Sequence, residues 1–183
     1  MIDPLLARTI AFGCAALLLF AAWHKISTQR EFVAALGEYR LLPQLLLRPT
    51  GVVLPAAEAA LGLGWLTGFA PQVVALLSAA LLGVYAVAMA INLWRGRVHI
   101  SCGCGFGGAS GEDQPLSWWL VARNLVLAAV AASAALPTGN RELGRIDWLM
   151  VVLALLACTA LYCAASQLLR NDAAIAIWRT PRG

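Results

Sequence analysis

Five stretches of this 183-residue chain are each long and apolar enough to cross a bilayer. They run over about 4–23, 50–67, 71–94, 116–136 and 148–169. A hydrocarbon core of about 30 Å takes about 20 helical residues. A spanning segment must satisfy its own backbone, so all five are predicted to be helices. The expected fold is an all-α membrane protein, a compact bundle of four to five transmembrane helices forming a single integral membrane domain over 1–183. Composition agrees: 61% of residues are hydrophobic and 12% charged, against roughly half and a quarter in soluble domains. The first stretch is too long for a signal peptide and ends in Trp23-His24-Lys25 without a small-residue cleavage site, so it is predicted to be retained. Gly62, Gly64 and Gly83 lie inside predicted spans, where small residues allow close helix approach.

Residues 28–42 do not span. Phe32, Leu36 and Tyr39 recur at helical spacing, with Arg30, Glu31, Glu38 and Arg40 mainly on other faces. That pattern predicts an interfacial amphipathic helix after the first span, either a lid over the mouth of the bundle or a plain surface connector. The net charge of +4 does not indicate nucleic acid, because the basic residues lie between apolar segments, where they orient membrane proteins.

The connection between the third and fourth spans reads Val98-His99-Ile100-Ser101-Cys102-Gly103-Cys104-Gly105-Phe106-Gly107-Gly108. Thiols this close either cycle between dithiol and disulfide or bind a metal. A disulfide needs its Cα atoms roughly 4.4–6.8 Å apart, and a bend at Gly103 brings residues i and i+2 into that range. The resulting ring is strained and exchanges readily with another thiol. Arg95, Arg97 and His99 lie just upstream, and nearby positive charge favours the reactive thiolate. Cys102 and Cys104 are therefore the candidate redox pair. A metal site could draw on His99, Cys102 and Cys104, but no second ligand pair stands in any loop to complete a structural zinc site. Inert thiols are the third reading.

Charges inside spans are costly and are paired or functional. Counted from Thr50, Glu58 lies about 12 Å deep; counted from Leu116, Arg123 lies about 10 Å deep. Both helices start from the face of the cysteine connection, so the matched depths predict a Glu58–Arg123 salt bridge or shared hydrogen-bond network. It is either a structural clamp or one wall of a cofactor pocket, to which Asn92 and Asn124 could add hydrogen bonds. Cys14, Cys158 and Cys163 read as small buried hydrophobes, or alternatively as a second redox pair. His24 and Lys25 are expected to anchor the first helix end by snorkelling to the interface.

Taken in order, several short pieces resemble the methylamine utilisation protein MauE family, within the DoxX-like group of small membrane bundles. They are Trp23-His24-Lys25-Ile26, Phe32 through Tyr39-Arg40-Leu41-Leu42-Pro43, Pro55 and Glu58 with Gly62-Leu63, Ile91-Asn92-Leu93, Cys102-Gly103-Cys104 with Phe106-Gly107, and Ser117-Trp118-Trp119 through Ala122-Arg123-Asn124. The likeness covers roughly residues 1–135. Gly105, between the cysteine pair and Phe106-Gly107, departs from the family pattern.

The resemblance implies a role in maturing methylamine dehydrogenase, whose exported small subunit carries many disulfides and a tryptophan-derived quinone. It implies action with MauD, a thioredoxin-like periplasmic partner. The architecture is similar to vitamin K epoxide reductase and DsbB, bundles that pass electrons from such partners to a membrane quinone. By that analogy Glu58, Arg123, Asn92 and Asn124 are candidate quinone-binding residues. The resemblance also implies that the cysteine connection faces the periplasm of a bacterial inner membrane, although the basic residues crowd that same face and the positive-inside rule would place it in the cytoplasm. A non-catalytic scaffold for the partner and a metal-binding membrane protein are the alternatives.

Overall fold

The structure, a computed structural model, describes residues 2–97 and 116–179. These residues form six helices: α1 Pro4–Ser27, α2 Gln29–Tyr39, α3 Gln44–Thr67, α4 Pro71–Trp94, α5 Trp118–Ser133 and α6 Arg145–Arg179. Helices α1, α3 and α4, and α6 over Arg145–Ala164, are long and apolar enough to cross a membrane, while α5 is a shorter apolar helix. The protein is a multi-pass helical membrane protein, as the apolar stretches predicted.

Local chemistry sets the helix ends. The Asp3 carboxylate accepts from the Leu5 N–H, and Pro4 occupies the first turn of α1, where its missing N–H costs nothing. Helix α3 begins six residues before the predicted Thr50, because Pro43 supplies an extended N-cap and Pro49 and Pro55 are accommodated within the helix. Neighbouring helices stabilise such interruptions in membrane spans. Gly68 closes α3 with a left-handed φ of 68°, a conformation that suits a residue without Cβ.

Packing pairs α1 with α3 and α4 with α5, and α6 lies against α1. Two close approaches fix the register of α3. A Cβ on Gly62 would lie 2.7 Å from Leu19 Cγ of α1, and one on Gly51 would lie 2.5 Å from Val33 Cγ2 of α2. Helix α3 therefore runs past the end of α1, and its first turns support α2. Trp65 Nε1 donates to Ser78 Oγ at 3.0 Å, joining α3 to α4 in the core.

The two ends of the bundle are distinct. At one, Ile2 exchanges backbone hydrogen bonds with Pro137 and Gly139, bringing the start of α1 to the α5–α6 connection. At the other, Tyr39 of α2 packs on a cluster that includes Met89 near the end of α4 and Leu116 and Leu120 at the start of α5. Trp94 and Trp118 flank the cysteine connection with their rings 6.0 Å apart, and both are exposed, as is Trp119. Exposed tryptophans grouped at helix ends mark the headgroup level.

Candidate functional site

Helix α2 lies across the end of the bundle where α4 stops and α5 starts. Phe32 and Ala35 of its apolar face are buried, while Arg30, Glu31, Glu38 and Arg40 are exposed. Arg40 ends it in the left-handed region, with φ at 48°, turning the chain toward α3. Beneath α2 is a cavity of about 290 Å³. Phe32, Ala35, Leu36 and Tyr39 roof it, Thr50 and Leu54 of α3 and Val84, Tyr85, Ala88 and Met89 of α4 wall it, and Lys25 of α1 reaches it. The predicted amphipathic helix is thus a lid.

The polar centre of this end is a buried trio. Lys25 Nζ donates to Glu58 Oε1 at 2.5 Å, and Tyr85 Oη donates to the same oxygen at 2.8 Å. Lys25 and Glu58 are 3% and 1% exposed. The ammonium also sits over two ring faces, 5.5 Å from the Phe32 centroid and 5.1 Å from that of Tyr85. Charge pairing and cation–π contact together offset the cost of holding a cation away from water. Glu58 Oε2 has no hydrogen-bond partner among the described residues. It borders a second, much smaller void of about 30 Å³, shared by Lys25, Tyr85, Arg123, Asn124 and Tyr162.

This corrects two expectations. Lys25 does not snorkel to the interface; it turns inward. The ion pair of Glu58 is with Lys25 and not with Arg123, whose NH1 donates to Tyr162 Oη at 2.9 Å across to α6. The physical reason lies in the register. Glu58 falls fourteen residues into α3 once the helix is counted from Gln44, and the close approach at Gly62 sets it beside the last turns of α1. Glu58 and Arg123 do line one void, so the predicted juxtaposition is real while the predicted bond is not. Lys25, Tyr85 and Tyr162 are the residues missed. For Lys25 the signal was present: Leu18, Ala21, Ala22 and Lys25 recur on one helical face, and all four are buried.

Asn124 is buried and lines the same small void, with its Nδ2 donating to Leu120 O. Asn92 is buried too, but it touches neither cavity; its Nδ2 donates to Ala88 O of its own helix. The void that Glu58, Arg123 and Asn124 share has a volume of about 30 Å³, room for about one water. Cys102 and Cys104, with His99, lie outside the described residues. Of the described residues, Met89 and Tyr85 of α4 line the large cavity and pack with Leu116 and Leu120 at the start of α5. Cys14 is partly buried against the core between α1 and its neighbours, and Cys158 and Cys163 are exposed on α6; all three are free thiols. Among the described residues no cluster of His, Cys, Asp and Glu is arranged to hold a metal ion.

Comparison with known proteins bears on this arrangement. Residues 3–137, which include every residue of the trio and the described lining of the larger cavity, match the family model for methylamine utilisation protein MauE. The chain is 39% identical over 167 residues to methylamine utilization protein MauE of Paracoccus versutus, spanning 91% of this chain and 88% of that one. It is 40% identical over 135 residues to the Paracoccus denitrificans protein of the same name, covering 74% and 71%, and 34% identical over 133 residues to that of Methylorubrum extorquens, covering 73% and 70%. No solved structure matches the chain. A family match across the lid, the buried trio and the cysteine connection, with relatives aligned over most of their length, places this chain in the methylamine utilisation protein MauE family.

Proposed function

We propose that this protein is a membrane thiol–disulfide redox protein of the methylamine utilisation system. It acts with a thioredoxin-like, MauD-type partner in forming the disulfides of the methylamine dehydrogenase small subunit, and passes the electrons to a membrane quinone. In this reading a partner thiolate attacks one sulfur of a Cys102–Cys104 disulfide and the displaced thiolate is released; the partner's second thiolate then resolves the mixed disulfide. The partner leaves oxidised and Cys102 and Cys104 are left as a dithiol. Two electrons and two protons from that dithiol reduce a quinone to the quinol, and the internal disulfide is restored.

The observation that carries this reading is the common end of the bundle. The residues flanking the cysteine segment pack with Tyr85 and Met89 on the wall of a lidded, mostly apolar cavity, which Lys25 and Tyr85 of the hydrogen-bonded trio line. An apolar pocket with a few convergent polar groups is the ordinary form of a small-molecule site. The chemistry of the trio fits a quinone, since the Lys25 ammonium is a donor to carbonyl oxygens.

The test is trapping. In cells making the partner with its resolving cysteine replaced by serine, the protein should accumulate a mixed disulfide with it, visible as a reducible band that the double Cys102→Ser/Cys104→Ser variant lacks. The double Cys→Ser variant should lose methylamine dehydrogenase maturation while still inserting in the membrane. If no mixed disulfide forms and the double variant supports maturation, the protein is a scaffold and the redox reading is wrong.

A further inference from the structure

Building on the proposed electron transfer, we propose that the quinone ring sits in the cavity roofed by α2, not in the polar void beside Arg123, and that Lys25 is its hydrogen-bond donor and proton source. Size separates the two spaces. About 290 Å³ accommodates a single substituted ring, at the lower limit of small-molecule sites, whereas about 30 Å³ does not.

Polar chemistry then selects the residue. The walls of the larger cavity are mostly apolar, and among the described residues Lys25 is the one charged group that lines it. One N–H of the ammonium is committed to Glu58 among the described residues, and the hydroxyl of Tyr85 is committed to the same carboxylate. Lys25 therefore retains two N–H donors beyond its bond to Glu58, and its side chain lines this cavity. A ring carbonyl oxygen gains negative charge as it is reduced, and a fixed cation in a water-poor site stabilises that charge.

The proton count follows. Reduction to the quinol takes two electrons and two protons, and both pairs originate in the two thiols as their sulfurs join. The Cys102 and Cys104 protons need not travel with the electrons: Lys25 gives one proton to the ring oxygen it binds and is recharged by one thiol proton, and the other thiol proton goes to the second ring oxygen. Glu58, held by Tyr85 on one oxygen and open to the small void on the other, is placed to hand that proton back.

The experiment uses the full-length protein in nanodiscs with decylubiquinone and a photoreactive azido analogue. Binding is measured by equilibrium dialysis, and labelled peptides are mapped. Label is expected on α2 and on the stretches of α3 and α4 around Leu54 and Tyr85. Ala35→Trp, which fills the cavity from its roof, should remove that label. Lys25→Gln should weaken binding by roughly tenfold or more, the loss of a hydrogen bond from a charged donor. Lys25→Arg keeps the charge and donors but does not release a proton at neutral pH; it should bind the quinone and reduce it at least about a hundredfold more slowly.

Label concentrated around Arg123 and Tyr162 would overturn the site while leaving quinone reduction intact. So would label and affinity unchanged in a folded Ala35→Trp protein. Reduction at the wild-type rate by Lys25→Arg would overturn the proton role. A wild-type protein that binds no quinone, its cavity holding only lipid, overturns this inference together with the quinone arm of the proposed function. The wild-type label map needs no variant, so a misfolded variant does not weaken the test.

Discussion

Glu58 and Lys25 are each the reason the other can be buried. Either alone would be a bare charge within the bundle, and removing one partner of a buried pair typically costs about 3–5 kcal/mol, whereas replacing both with apolar residues is often neutral. Lys25→Met and Glu58→Leu are therefore each expected to destabilise the folded protein by about 3 kcal/mol, and the Lys25→Met/Glu58→Leu double variant by much less than the sum. Unfolding in mixed micelles, followed by helical circular dichroism, measures this. Equal, additive losses would show that the pair is not coupled.

The same two residues show how far single-residue reasoning from sequence reaches. That Glu58 must have a partner was legible, because an intramembrane carboxylate is costly. Which partner was not, since depth was reckoned from Thr50 while the helix starts at Gln44, and a lysine two residues after Trp23 reads as an interfacial anchor until its helical face is plotted.

Among elements, α2 and α3 form the working unit. The apolar period over Phe32, Leu36 and Tyr39 announced α2, and four of its residues line the cavity it covers. The span at 71–94 coincides with α4, whose limits are set by Pro71 and by the polar run after Trp94. Elsewhere the helix ends differ from the apolar stretches in both directions: α1 continues to Ser27 and α3 begins at Gln44, whereas α5 covers only Trp118–Ser133 of the predicted 116–136.

The seat of α2 on α3 is Gly51, where any side chain meets Val33. Gly51→Val should lift α2, expose the buried face of Phe32, and raise hydrogen exchange in residues 29–39 while α4 and α5 stay protected; unchanged exchange in α2 would contradict a lid seated there. Gly62→Leu acts at the other close approach, against both the side chain and the backbone nitrogen of Leu19. Overpacking of this kind typically costs about 1–3 kcal/mol, so this variant should lower the midpoint of thermal aggregation in detergent, a loss absent from Gly83→Leu, where the space is open.

For the molecule as a whole, the remaining structural question is which side of the membrane the lid faces. The end carrying α2 and the cysteine connection also receives the far end of α6. At 35 residues, α6 is about 52 Å long, well beyond a hydrocarbon core of about 30 Å. Arg30, Arg40, Arg48, Arg95 and Arg97 stand at the lid end, and Arg170, Arg179 and Arg182 follow in the C-terminal stretch, against Arg8, Arg141 and Arg145 at the other. Burying Lys25 in an ion pair removes one charge from that count without reversing it.

Exchange with an exported thioredoxin-like partner, however, requires the thiols where stable disulfides persist, outside the cytoplasm. The proposed function therefore predicts that, in intact cells, a membrane-impermeant maleimide labels Cys102 and Cys104 after mild reduction, in a protein whose Cys14, Cys158 and Cys163 have been replaced by alanine. Labelling only after permeabilisation would put the lid in the cytoplasm, in line with the arginine count. The buried trio and cavity would then stand as described, but a periplasmic partner could not reach the thiols, and the partner would have to be sought among reducing cytosolic proteins.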